Sequence, residues 1–346
     1  MQTIAFAGGG TAGHVMPNMA LIEELSSIFN CVYIGGDGME KELAAARGIP
    51  FYTIKTVKLR RDKILKNIAV PFKLCSCVRS AKRVLAEIKP QLIFSKGGYA
   101  ALPVVLAAKN IPVISHESDF SPGITTKLAA KRSALVLCAY EDCAKKIANG
   151  KYVGAPLDRK LYSGTADKRA YGLSGNKPVL AVVGGSSGAA TINDVVTKAL
   201  PDLLKRFDVI HVTGKNKRGA LARPGYRAVE FENNMPRLYA TCDIILTRAG
   251  ANALAECVAL GIPTLAVPLE KASRGDQIQN ADYYSSRGAI KVVREADLTP
   301  AALIAAVTDV YSSRDTLKSK MRSQSPDGTK AICAEIKKLL LSPETR

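Results

Sequence analysis

Three groups of residues in this sequence have the types and spacing needed to handle a phosphorylated ligand. The first is Gly8, Gly10 and Gly13, spaced G-x-G-x-x-G, followed at once by His14 and then by Pro17. Such a loop, placed after a strand and before a helix, lets backbone N–H groups approach an anion at the positive end of the helix. No Lys-Ser/Thr follows, so the loop is not a P-loop. An imidazole at that junction is expected to stay neutral and so to serve as a general base; the alternative is a structural imidazole that caps the helix or holds phosphate. The second group is His116-Glu117-Ser118-Asp119, polar residues just past a short apolar run. Past the carboxyl end of a parallel strand, such residues are placed for a ligand crevice. The third is Arg248 to Glu256, a glycine turn entering a helix with a carboxylate one turn inside. That carboxylate can accept two ribose hydroxyls, or it can simply favour the helix N-terminus. Arg274-Gly275-Asp276-Gln277 adds a polar loop and helix start.

The elements that must hold these residues follow from the alternation of short apolar runs with amphipathic stretches. Cys31–Ile34, Phe51–Thr56, Leu92–Phe94, Pro112–Ser115, Ala134–Cys138 and Lys151–Val153 are expected strands, with helices between them. That order argues for a parallel sheet covered on both faces. The pattern restarts after a linker beginning at Gly154. Pro178–Val183 is a buried strand, Gly184-Gly185-Ser186-Ser187-Gly188 a further glycine loop, and Ile192–Leu204 a helix. Strands are expected at Val209–Val212, Arg227–Phe231, Ile244–Leu246, Thr264–Val267 and Ile290–Val293. The fold class is therefore α/β: two Rossmann-like, doubly wound parallel-sheet domains facing a cleft. The domains are expected at 1–155 and 156–328, with a helix in 329–346 returning to the first.

Length and composition set the limits. A chain of 346 residues holds two domains of ordinary size. The net charge of +19 calls for anionic partners: nucleic acid, acidic lipid or phosphorylated substrate. Aromatics are 6% and Trp is absent, and no aromatic RNA-binding signature occurs, which argues against nucleic acid. The eight cysteines form no C-x-x-C and fit reduced, mostly buried thiols. His14, His116 and His211 are too scattered for a zinc motif, and no signal peptide or membrane-spanning run is visible. No metal or cofactor is expected.

Residues 55–89 are strongly basic. Lys55, Lys58, Arg60, Arg61, Lys63, Lys66, Lys73, Arg79, Lys82, Arg83 and Lys89 face only Asp62 and Glu87, and apolar residues such as Ile64, Leu65, Ile68 and Phe72 interleave them. Such a stretch can lie on an anionic bilayer surface, or its apolar stripe can pack on its own sheet.

Several motifs together resemble one family. They are Gly8 to His14, Ser95-Lys-Gly-Gly-Tyr99, His116 to Asp119, Gly184 to Gly188, Arg248 to Glu256, and Arg274 to Gln277. In that order they are similar to the MurG-type UDP-N-acetylglucosamine:lipid I N-acetylglucosaminyltransferases of the GT-B class, over nearly the whole chain. The resemblance implies inverting transfer of N-acetylglucosamine from UDP-N-acetylglucosamine to lipid I, giving lipid II for peptidoglycan, at the cytoplasmic face of the cell membrane.

Carried onto this chain, the resemblance puts Thr11, Ala12, Gly13 and His14 by the diphosphate and the reacting hydroxyl, with His14 the first choice of base and Asp119 or Glu117 the reserve. Ser186 would contact the donor. Ala251, Asn252, Ala253 and Glu256 would cradle phosphate and nucleoside, with Glu256 on the ribose, Gln277 on the sugar hydroxyls and the uracil near the Glu232 backbone. The chain departs from the pattern at Ala12, where glycine is common, at Asp119, where some members have asparagine, and at Asp158, where an arginine is expected and Arg159 follows. No D-x-D is present, so leaving-group charge would fall to loop N–H groups, helix ends and Arg159 or Arg248. An oxidoreductase would explain the first loop alone, and a nucleic-acid binder the charge alone. A UDP-sugar 2-epimerase, or another glycolipid transferase on the same fold, is the nearer alternative.

Overall fold

The computed structural model describes residues 1–57, 70–173, 175–185, 188–217, 223–270, 275–324 and 326–341. The expectations for Lys58, Arg60, Arg61, Lys63, Lys66, Ser186 and Arg274 lie outside the described residues. The chain forms two compact units, Met1–Asp158 with Asp327–Arg346, and Arg159–Pro326.

In the first unit the elements are β1 (Thr3–Ala7), α1 (Ala12–Leu25), β2 (Asn30–Gly35), α2 (Met39–Ala45), β3 (Phe51–Thr53), α3 (Val70–Ile88), β4 (Leu92–Ser95), α4 (Gly98–Ala107), β5 (Val113–Glu117), α5 (Ile124–Ala130), β6 (Leu135–Cys138), α6 (Glu141–Ala144) and β7 (Gly150–Tyr152). The strands form one parallel sheet in the order β3-β2-β1-β4-β5-β6-β7. Side chains alternate across a strand, and this is why both faces are apolar. Ile4 and Phe6 of β1 join Tyr33, Phe94 and the inner stripe of α1 in one core. Ala5 and Ala7 join Val32, Ile34, Ile93 and Val104 in the other.

The second unit contains β8 (Val179–Val183), α7 (Ala190–Leu203), β9 (Asp208–Val212), β10 (Tyr226–Val229), α8 (Met235–Thr241), β11 (Ile244–Thr247), α9 (Ala251–Leu260), β12 (Thr264–Ala266), α10 (Asp276–Ser286), β13 (Lys291–Val292), α11 (Pro300–Ser312) and α12 (Arg314–Arg322). Its parallel sheet runs β10-β9-β8-β11-β12-β13. Leu180 and Val182 pack on α7 and α11, whereas Val179 and Ala181 pack with Tyr171, Leu238 and Cys257.

The last helix, α13 (Thr329–Leu341), belongs to the first unit. Ile332, Ile336 and Leu340 recur at helical spacing and are buried with Ile4, Leu21 and Leu25. Each contributes about 1.5–3 kcal/mol by burial. The segment before the change of unit is stitched to α13. Ala155 bridges Asp327, Leu157 N–H donates to Thr329 Oγ1 at 2.8 Å, and that hydroxyl donates to Leu157 O at 3.0 Å. These bonds keep the chain with the first unit as far as Asp158, slightly beyond the boundary expected from composition.

The basic stretch is partly resolved by α3. Cys77, Ala81 and Leu85 are buried against the sheet, with Val78, Val84 and Ile88 packed beside them. Lys73, Arg79, Lys82 and Arg83 are exposed, and Phe72 is 81% exposed at the start of the helix. Most of the apolar stripe on α3 therefore covers the protein's own sheet, while the charges face water. Among the described residues, no helix is long and apolar enough to cross a membrane.

Candidate active site

Each sheet has its strand order reversing at one point, between β1 and β4 in the first unit and between β8 and β11 in the second. Ligands of open α/β sheets bind outside the carboxyl ends of strands at such points. The predicted residues gather there in each unit separately.

In the first unit, β1 ends in Gly8-Gly9-Gly10 and α1 begins at Ala12, with Thr11 as its N-cap. Thr11 O accepts from His14 N–H at 3.0 Å, and Thr11 Oγ1 lies 3.0 Å from His14 Nδ1. The imidazole is held to a pKa of about 4. Burial is the main cause, the positive charge of Lys96 the next, and Glu117 opposes both. That direction favours the neutral ring, with burial first and Lys96 second as the causes rather than the helix end.

The first glycine loop carries a carboxylate of its own. Glu40, in the first turn of α2, is 1% exposed. Its Oε1 accepts from Gly36 N–H at 3.1 Å and its Oε2 from Gly10 N–H at 3.4 Å. A Cβ on Gly9 would stand 2.3 Å from Glu40 Oε1, so only a glycine lets the backbone come this close.

Glu117, at the end of β5, is buried and fully engaged. Its Oε1 accepts from Asp119 N–H at 3.0 Å, and its Oε2 from Gly123 N–H at 3.0 Å and from the Thr126 hydroxyl at 2.5 Å. These bonds shape the turn that carries Ser118 and Asp119 toward α5. His116 pairs its Nε2 with Gly154 O at 2.9 Å; a carbonyl only accepts, so that nitrogen carries the proton. Its Nδ1 is buried without a partner, and burial holds the ring well below the usual histidine range, with help from Lys96.

Glu40 is a site residue that the sequence did not single out, and Lys96 entered only as a member of the Ser95 to Tyr99 motif, with no role. Lys96 follows β4, is 2% exposed, and donates to Ser118 Oγ. Burial pushes its ammonium down to about 8, against the opposing pull of Glu117 and Asp119. The available signal was its setting, a lone lysine between an apolar strand and a glycine pair. The signal for Glu40 was a glutamate in the first turn of a helix that follows a glycine-rich turn.

In the second unit a cavity of about 780 Å³ is bordered by Gly184, Gly185 and Gly188 of the loop after β8. Gly250 at the N-terminus of α9, Ala253 one turn in, Leu269 and Gln277 complete much of its wall. Its size suits a nucleotide-sized ligand. Gln277 Oε1 accepts from Leu269 N–H at 2.9 Å, which orients the amide against this wall. Glu256 is half-buried and is joined to the cavity through Tyr239, whose hydroxyl donates to Glu256 Oε2 at 2.7 Å. Burial and the charge of Glu256 hold that phenol well above its usual range.

Arg248 also borders the cavity, but its charge is matched. Its Nη2 lies 2.6 Å from Glu295 Oε1, and its Nη1 donates to Val267 O and Pro268 O at 3.2 and 3.4 Å. Burial alone would push the Glu295 carboxyl up, yet its bonds to Arg248 and Thr191 bring it below the ordinary value. Arg248 is thus tied down as part of the wall, and Tyr239 and Glu295 join the predicted set.

Other predicted residues are placed differently. Ala251 and Asn252 form the first turn of α9. The Glu232 side chain is buried and structural, accepting from Tyr171 Oη at 2.8 Å and from Asn234 N–H at 2.7 Å. Arg159 is exposed in a short 3-10 segment, Arg159–Ser163. Neither Glu232 nor Arg159 lines the cavity among the described residues.

Comparison with known proteins agrees with this arrangement. The glycosyltransferase family 28 N-terminal domain matches residues 4–137, and the family 28 C-terminal domain matches residues 179–339. A UDP-N-acetylglucosamine–N-acetylmuramyl-(pentapeptide) pyrophosphoryl-undecaprenol N-acetylglucosamine transferase of Lachnospira eligens is 43% identical over 91% of this chain and 92% of its own length. The protein of the same description from Clostridium botulinum is 39% identical over 98% of this chain and 99% of its own. The crystal structure of Acinetobacter baumannii MurG superposes with a TM-score of 0.75 at 25% identity, covering 97% of this chain and 99% of that one. The calicheamicin glycosyltransferase CalG4, at 16% identity and a TM-score of 0.73, shares the fold. With both family 28 domains in order and relatives at this identity along nearly its full length, the chain belongs to the MurG-type glycosyltransferases of the GT-B fold.

Proposed function

We propose that this chain transfers N-acetylglucosamine from UDP-N-acetylglucosamine to lipid I with inversion, giving lipid II for peptidoglycan synthesis. The observation that carries this reading is the 39% identity to a transferase of that description over 98% of the chain.

The donor belongs to the second unit in this reading. Loop N–H groups at Gly184 to Gly188 and the N-terminus of α9, from Ala251 to Ala253, take the diphosphate. Glu256 takes the ribose, the backbone near Glu232 the uracil, and Gln277 the sugar hydroxyls; Ser186 is a further donor contact. These positive helix and loop ends stabilise the departing UDP, and no protein cation is needed beyond what Arg159 adds.

The acceptor belongs to the first unit. Thr11, Ala12 and Gly13 flank its diphosphate, and His14 removes the proton of the attacking sugar hydroxyl. A ring held near 4 is a weak base at neutral pH. The negative diphosphate of the acceptor raises it toward the useful range, because a nearby opposite charge favours the protonated form. Asp119 is the reserve base, since its neighbour Glu117 is occupied by three donors. The exposed lysines and arginines of α3, together with the basic residues before it, hold the protein on the anionic inner surface of the cell membrane, where the acceptor's lipid tail lies.

The test is incubation with UDP-N-acetylglucosamine and a short-chain lipid I analogue, read by mass spectrometry. The expected product is the acceptor extended by one N-acetylglucosamine, with release of UDP. Conversion of UDP-N-acetylglucosamine in the absence of acceptor would instead identify an epimerase.

A further inference from the structure

Lys96 has no role in the reading above, yet it is the most deeply buried cation of the first unit's site. It lies at the strand-order reversal, directly after β4. Its backbone N–H donates to Ala7 O at 2.9 Å, which fixes this turn to the end of β1. The next two residues, Gly97 and Gly98, have φ of 83° and 79°, and a Cβ on Gly98 would stand 2.7 Å from Gly9 O and 3.3 Å from His14 Nδ1. The Lys96 turn is thus packed against the first glycine loop and the imidazole. Only glycine fits this approach.

The ammonium donates to Ser118 Oγ, and the charged and titratable groups that it influences or that influence it come from two elements. His14 is on α1; His116 and Glu117 are on β5, and Ser118 and Asp119 follow it. No carboxylate among the described residues pairs with Lys96 directly, and its one side-chain bond goes to Ser118 Oγ. A buried charge that is not neutralised at contact acts on its neighbours through a poorly screening medium.

We propose that Lys96 is a positioning residue for the transfer reaction: its ammonium holds the Ser118–Asp119 turn and keeps the His14 ring free of a second proton. The proposal deepens the reading in which His14 is the base and rests on it. The lysine adds to burial in making the protonated imidazole costly, and so raises the barrier to protonation at low pH. It also fixes Asp119 relative to that ring.

The test uses the full-length protein with isotope-labelled histidine, comparing wild type with Lys96→Met, Lys96→Gln and Lys96→Arg. Lys96→Met removes charge and hydrogen bond, Lys96→Gln removes the charge but keeps a neutral donor on a side chain one atom shorter, and Lys96→Arg keeps the charge. In Lys96→Met and Lys96→Gln the His14 resonance should titrate about one pH unit higher, the scale of losing one nearby like charge. The acid limb of the kcat profile should move with it, and KM for UDP-N-acetylglucosamine should stay unchanged. Lys96→Arg should restore the low titration point. A folded Lys96→Gln protein whose His14 titrates where the wild type does would overturn the proposal; having Gln beside Met guards against a misfolded variant. If the resonance shifts while the acid limb of kcat stays, the electrostatic role of Lys96 stands and His14 is not the base.

Discussion

The two glycine loops of this chain look alike in sequence and stand in the same place on their sheets, but their surroundings differ. The first, Gly8 to Gly10, meets a carboxylate from its own unit: Glu40 accepts from Gly10 N–H and touches Gly9. The second borders a cavity of about 780 Å³ through Gly184, Gly185 and Gly188, together with the N-terminus of α9. A glycine loop at a helix end says that an anion is welcome. Which anion arrives depends on residues far away in the chain. In the first unit Glu40 accepts from the loop, and in the reading proposed above the chemistry falls to His14, with Lys96 and Asp119 beside it. In the second unit the loop remains part of a cavity wall fit for a nucleotide. The proposed division into a reacting site and a donor site rests on this difference.

The largest effect on the first loop's side is expected at His14. His14→Ala should lower kcat by about two to four orders of magnitude, the range for a lost general base. UDP affinity by calorimetry should hardly change if, as proposed, the donor is held by the second unit. An acid limb that persists in the variant, with the loss appearing as weaker acceptor binding, would move the base to Asp119.

A second histidine sharpens the point, because His211 has the same depressed pKa and a different job. It is fully buried in the second unit, with Nδ1 3.0 Å from Tyr226 Oη and Nε2 3.0 Å from Asn193 Oδ1. Burial holds it at about 4 against an ordinary 6.5. The unfolded chain therefore binds a proton below pH 6.5 that the folded chain refuses until about pH 4. Stability must fall as pH drops through that window, by about 3 kcal/mol from this residue at the lower end. Thermal unfolding measured from pH 7 to pH 4.5 should show the loss. His211→Gln should remove its own share of that loss, about 3 kcal/mol, and leave the shares of His14 and His116, without changing the acid limb of kcat.

Much of this architecture was legible in the sequence, for a physical reason. Strands buried on both faces are continuous apolar runs, as at Val179–Val183, and the helices between them carry regular inner stripes, as at Ile332, Ile336 and Leu340. Strand ends were less legible: β3 stops at Thr53 and β10 at Val229, short of the apolar runs that suggested them. Those are edge strands, where the ladder ends with the neighbour's length. Candidate residues were readable wherever one loop or helix start carried them, as at His14 and Gln277. They were not readable where burial is decided by another strand. Lys96 reads as a solvated lysine until β5 and its turn are laid beside it. Glu40 reads as an ordinary first-turn acid until the loop after β1 is folded over it. Tyr239 and Glu295 reach the cavity from elements that carry no motif.

At Glu40 the comparison can be tested directly. Glu40→Gln replaces one accepting oxygen by an NH2 group facing a backbone N–H, with no room to move. The expected loss is about 1–3 kcal/mol of stability, the cost of a buried unsatisfied donor. It should be accompanied by a fall in kcat, since Gly10 lies next to the His14 helix. UDP affinity should be unchanged. A variant as stable as wild type would mean that the Glu40 carboxylate is not what closes the first loop.

The smallest expected effect belongs to the donor side. Glu256→Gln removes a charge while leaving an oxygen able to accept from Tyr239, so the fold of α9 and the cavity wall should survive. What is lost is the advantage of a charged acceptor over a neutral one toward the ribose hydroxyls, about 1 kcal/mol or slightly more. In kinetics this should appear as a higher KM for UDP-N-acetylglucosamine, with kcat nearly constant, because the ribose contact is made equally before and during transfer. Calorimetry with UDP should give the same loss, and calorimetry with uracil alone should give none. Equal UDP affinity in the two proteins would take the ribose away from Glu256. The carboxylate would then be a partner for Tyr239 only, and the second glycine loop would hold its ligand through backbone N–H groups and Gln277.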